Sequence, residues 1–227
     1  MRSRGLKRTA LWIFACSVMV TATLSLAQTG SAPSVIWDSD PDTLLVSYRD
    51  VWAELANQDP TPLIRIFGDG RVLVHYPVYT PKAGEYELRL GPQELESLLT
   101  SMAAKGLATV DLQAAQGLKS SEEQLLRSAA RDAARSEELL GVPVRDRTPE
   151  LFMVADDSTT VFELHLTGYR PAGNSLAASA TVDRSLSWRG LGTDAERYPD
   201  IEPIQQLRAA ELELRTLLER ADLRRVP

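Results

Sequence analysis

The sequence predicts an α+β fold: antiparallel β-sheet with hairpins, packed against amphipathic helices. Three observations lead there. Two β-rich runs, 63–67 and 71–76, meet at Gly68-Asp69-Gly70. Asp-Gly between apolar runs is a strong hairpin signal, because a type I′ turn needs positive φ at both central residues. Leu95, Leu98, Leu99 and Met102 then recur at the i, i+3, i+4, i+7 spacing of one buried helical stripe. A second amphipathic stretch, 204–223, closes the chain. Strands and helices in separate runs favour antiparallel sheet layered on helices.

The N-terminus reads as a secretory signal. Residues 1–8 hold Arg2, Arg4, Lys7 and Arg8, residues 9–26 are mostly apolar, and Ser25-Leu26-Ala27 supplies small residues at a cleavage site. Cleavage after Ala27 leaves a chain starting at Gln28. An uncleaved N-terminal membrane anchor uses the same run, although Ser17, Thr21, Thr23 and Ser25 weaken it. A lipoprotein reading at Cys16 suffers from bulky Phe14 and from the apolar sequence beyond it. In every case the remainder is expected outside the cytoplasm.

Removing residues 1–27 leaves 21 basic against 31 acidic residues. So acidic a chain repels phosphate backbones, so no nucleic-acid partner is expected. Cys16 is the only cysteine. The mature chain is therefore cysteine-free, with no disulfide, thiolate metal site or thiol nucleophile.

Residues 28–42 are polar and turn-rich, an expected flexible arm, and 43–227 is read as one α+β domain. Residues 44–52 form a first strand and 57–62 a turn cluster. Placing Asp69-Gly70 at the centre of the hairpin turn pairs Ile66 with Leu73 and Ile64 with His75. Both faces are then largely apolar, as in the middle of a sheet. Residues 85–90 alternate as a third strand, Gly91-Pro92 opens a helix, and Gly106 ends it. A further helix spans 111–140, with Ser121 and Gln124 as a capping box and Leu125, Leu126, Ala129, Ala130 and Ala133 as its apolar face. Residues 151–155 and 159–167 suggest a second hairpin, and 185–188 a further strand. Two similar hairpin–strand–helix halves, 43–106 and 149–223, joined by the 111–140 helix, are one reading of this order; similarity among Glu/Leu-rich helices is the other.

Signatures of the common hydrolases and phosphate-binding loops are absent. Of two histidines, His75 sits at the end of the first hairpin. His165 shares a strand face with Glu163, and a turn at Asp157-Ser158 places Glu150 opposite it. An imidazole beside a carboxylate can serve as a general base, and it is equally an ordinary cross-strand pair. Two histidines make a transition-metal site improbable, and Asp38-Ser39-Asp40-Pro41-Asp42 fails the EF-hand pattern at Thr43 and Arg49. No metal and no cofactor is expected. Arg127, Arg131 and Arg135 read as a solvated helix face.

Residues 168–200 read as a long Gly/Ser/Ala/Pro-rich loop carrying Tyr169, Arg170, Trp188, Arg189 and Tyr198. Aromatic and Arg side chains on a loop favour a recognition surface. The favoured expectation is thus an exported, soluble, non-enzymatic binding domain of the bacterial cell envelope, recognising a protein or envelope component. The alternatives are an extracytoplasmic hydrolase using His165 with Glu150 or Glu163, and a periplasmic small-ligand carrier.

Overall fold

The computed structural model describes residues 32–52, 59–140, 157–173 and 178–227. The signal segment with Ala27, the expected strand 151–155 and Glu150 lie outside the described residues. Strands β1 (Ser34–Ile36), β2 (Leu44–Val51), β3 (Ile64–Phe67), β4 (Arg71–Tyr76) and β5 (Gly84–Arg89) precede helices α1 (Pro92–Met102) and α2 (Leu112–Leu139). Strands β6 (Thr159–Arg170) and β7 (Ala180–Arg189), helices α3 (Leu191–Arg197) and α4 (Glu202–Thr216), and the short strand β8 (Arg224–Arg225) complete the order.

All eight strands form one antiparallel sheet. Its spine runs β6-β2-β3-β4-β5-β8. Strand β7 pairs with β6 from residue 159 to 169, so β1 and β2 must share the other side of β6, end to end.

Alternation along the strands sends one set of side chains to a core. Val46, Tyr48, Ile64, Ile66, Val72 and Val74 are all fully buried. The expected helical stripe of α1 meets them, with Leu95, Leu98, Leu99 and Met102 buried. Pro92 at the first turn needs no amide partner, and Gly106, at φ 91°, ends the helix by a left-handed turn. From α4 come Ile204, Leu207, Ala210 and Leu214. No helix among the described residues is long and apolar enough to cross a membrane.

Four expectations are corrected. In the first hairpin, Ile66 faces Val72 and Ile64 faces Val74, one residue from the expected register. Gly70 donates its N–H to Phe67 O at 3.0 Å and has φ 83°. The loop is thus the three-residue kind, a tight turn closed by a left-handed glycine, not the two-residue kind. That slip gathers four aliphatic residues on one face, leaving Arg65, Phe67, Leu73 and His75 on the other.

Helix α2 spans close to the expected 111–140, but Ser121 does not cap it. Asp111 caps it, accepting the N–H groups of Gln113 and Ala114 at 2.9 and 3.0 Å, while the Ser121 hydroxyl bonds back to Gly117 O. The apolar face is not buried either: Leu125 is 63% exposed and Leu126 37%.

The described residues of the segment 168–200 are not an irregular loop. It comprises the end of β6, all of β7 and α3. Its polar look has a plain cause, since alternate residues of β7 point to solvent.

Candidate functional site

The helices occupy one face of the sheet, and no described helix covers the other. On that open face the register aligns one row as Ser185, Glu163, Ser47, Arg65, Leu73, Glu87 and Arg224. A second row holds Val161 and Arg49, then His75 and Glu85. Charges of both signs are interspersed across these strands. Each charged residue here from β2 to β6 is half-buried.

His75 lies on this face with both ring nitrogens engaged. Nδ1 is 2.5 Å from Glu85 Oε1 and Nε2 is 2.7 Å from Asp59 Oδ2. Arg65 also reaches Glu85, at 3.1 Å. Each ring nitrogen is thus taken up by a carboxylate oxygen, and neither is turned to an open site. The Thr61 amide, donating at 3.0 Å, and then the His75 ring hold the Asp59 carboxyl below its ordinary range.

His165 and Glu163 also stand on the open face, where Glu163 lies between Ser47 and Ser185. The carboxylate against the His165 ring is that of Asp183, across the β6–β7 pair, at 2.8 Å from Nδ1. This dyad stands on the open face, the Asp183 side chain 81% exposed. It has the orientation a base needs and none of the desolvation that raises catalytic power.

The recognition residues expected on a loop are placed otherwise. Trp188 and Tyr198 are buried, 4% and 2% exposed. The Trp188 indole N–H donates to Asp194 Oδ2 at 2.8 Å, and Lys119 Nζ lies 2.6 Å from the same oxygen. Lys119 also stands 6.0 Å from both the Trp188 and Tyr198 ring centres. These aromatics therefore clamp the first turns of α2 to α3 and β7. Tyr169 is buried too, and burial raises its hydroxyl above the ordinary range. Arg170 is half-buried at the end of β6, and Arg189 is exposed at the end of β7.

A second polar cluster joins sheet to helix and escaped sequence reading altogether. The buried Tyr48 hydroxyl lies 2.8 Å from Asp50 and 3.2 Å from Glu211. Arg215 spans both carboxylates, its Nε donating to Tyr48 at 2.9 Å and to Glu211 at 3.0 Å. Thr160 donates to Asp50, and Arg208 closes the remaining Glu211 oxygen at 2.6 Å. Burial first, then the two carboxylates, pushes the Tyr48 hydroxyl far up, so it stays a proton donor. The hydroxyl and all four carboxylate oxygens of the group are matched internally. It is a joint between β2 and α4, not an open site. No local motif announces it, because Tyr48 and Glu211 are 163 residues apart.

A cavity of about 470 Å³ lies at the β5–β8 edge, lined by Glu87, Arg89, Asp222, Arg224 and Arg225 among others. Its lining mixes both signs, so it selects neither anion nor cation. Asp38 and Asp40 spend their carboxylates within their own turn, on the amides of Asp40 and Asp42. Among the described residues no group of His, Asp and Glu is arranged to hold a metal ion.

No family model, no curated protein and no solved structure matches this chain.

Proposed function

We propose that this chain is an exported binding domain that recognises a protein or envelope component through the open face of its sheet. The observation carrying the reading is that, among the described residues, helices clothe only one face of that sheet. A face left uncovered normally turns fully polar and solvated, yet here Ser47 and Val161 are more than nine-tenths buried among the charged side chains. Arg49, Glu87 and Glu163 stand on it with no ion pair among the described residues, and such charges suit a partner of mixed charge. Export is supported by the basic, apolar and small-residue order of residues 1–27.

Co-purification from the native envelope fraction tests the reading. The wild-type chain should retain a partner set that raised salt removes and that Arg49→Glu loses while its melting temperature holds. Retention of the same set by Arg49→Glu rejects the open face as the recognition surface. N-terminal sequencing of the recovered chain should begin at Gln28; recovery of intact Met1 would instead mark an anchored protein.

A further inference from the structure

We infer that the outer edge of β7 is a self-complementary interface that joins two copies of this chain by antiparallel strand addition. This goes beyond the open-face reading and does not depend on it.

The two ends of the sheet are treated differently. At one, β8 pairs with Tyr86 and Glu87, and Val226 donates to Glu85 O, so the C-terminal segment covers the edge of β5. At the other, β7 is a ten-residue strand with no partner on its outer side among the described residues. The Gly190 N–H donates to Ser158 O at 2.9 Å, which fixes the alternation. Even-numbered residues of β7 turn their backbone groups to β6. Thr181, Asp183, Ser185, Ser187 and Arg189 turn theirs outward. All five are exposed. An unpaired edge of this length is a template for another strand.

Charge selects the occupant. When β7 meets its own copy about a two-fold axis through Leu186, Asp183 of each copy faces Arg189 of the other, and Ser185 faces Ser187. That register gives two opposite-charge pairs on the exposed face, with Leu186 against Leu186 on the buried face. A two-fold at Asp183 or at Arg189 sets like charges together, and one at Ser185 forms no charge pair at all. Cross-strand opposite charges stabilise a pair, and like charges destabilise it.

A second feature converges on the same edge. Arg184 donates to Ala108 O and Val110 O just before α2, and Lys119 on α2 lies against Trp188. Helix α2 therefore starts beneath β7. Leu118 and Leu125 of that helix are 53% and 63% exposed in one copy.

Sedimentation velocity over a concentration series is the test. The wild-type chain should form a dimer that dissociates on dilution. Asp183→Arg and Arg189→Asp should each weaken it at least about tenfold, and the double variant should restore it. Ser185→Pro removes an outward N–H that β6 does not use, and proline is tolerated at such edge positions. It should give a monomer with unchanged melting temperature. A wild-type chain that is monomeric at every concentration overturns the inference, as does a Ser185→Pro dimer. Failure of the double variant to restore what both single variants lose overturns the register.

Discussion

Lys119 and Asp194, 75 positions apart in the chain, meet at 2.6 Å from Nζ to Oδ2, and the Trp188 indole N–H shares that oxygen. The Asp194 side chain is only 6% exposed. Its charge is therefore desolvated and matched at once by an ammonium and an indole. Asp194→Ala strands both donors and should cost about 3–5 kcal/mol, the range for breaking a buried pair. Urea unfolding checks this through a lower midpoint at unchanged slope. A loss under about 1 kcal/mol would show that water reaches the cluster.

Trp188→Ala and Tyr198→Ala should each destabilise by about 3–5 kcal/mol, as large-to-small changes in a packed core do. Arg189→Ala, at an exposed position on the same strand, should stay within about 0.5 kcal/mol. The contrast separates scaffold from surface along a single strand, and thermal melts of the three variants read it directly.

Alkaline pH should act through Tyr48. Its folded-state pKa lies above that of an unfolded tyrosine, so above about pH 10 the unfolded chain loses a proton that the folded chain keeps. Stability from this group is complete below pH 10 and falls as the pH climbs beyond it. Tyr48→Phe should flatten that alkaline limb while lowering stability at neutral pH by about 1–2 kcal/mol, because Asp50 and Glu211 lose a hydrogen-bond partner. Urea midpoints at pH 7 and pH 10.5 for both proteins test the sign.

Two glycines should respond in opposite directions. A Cβ on Gly68 would run into the backbone carbonyls of Asp38 and Asp40, neither free to move, so Gly68→Ala should cost more than about 2 kcal/mol. A Cβ on Gly117 meets nothing within 4 Å, and Gly117 lies inside α2. Gly117→Ala should add about 0.5–1 kcal/mol through helix propensity. Paired thermal melts against the wild-type chain read both signs.

What the sequence discloses and what it conceals divide by range. The stripe Leu95, Leu98, Leu99 and Met102 is a local period, and it finds α1 with its buried face correctly. The same logic places β2 to β6 and the start of α4. It misjudges the hairpin register because Gly68-Asp69-Gly70 suits loops of two lengths, and only the faces of Ile64 and Ile66 in the assembled sheet decide between them. It finds only residues 185–188 of β7 and leaves the rest in a loop, because an edge strand shows solvent half of its side chains, so Thr181 and Asp183 look like turn residues. It assigns a buried face to Leu125 and Leu126, since periodicity reports amphipathicity without saying what lies opposite. The His75 clamp and the Tyr48 joint join residues too distant for any pattern: Asp59 with Glu85, Tyr48 with Glu211.

Strand β2 sits between β3 and β6, and its partners in β6 come more than a hundred positions later, Val46 facing Leu164 and Tyr48 facing Phe162. A ribosome delivers this chain from one end, so the central seam stays unzipped until three-quarters of it has emerged. Non-local pairing of that kind slows folding. Under the export proposed above, such delay would keep the nascent chain threadable through a narrow pore.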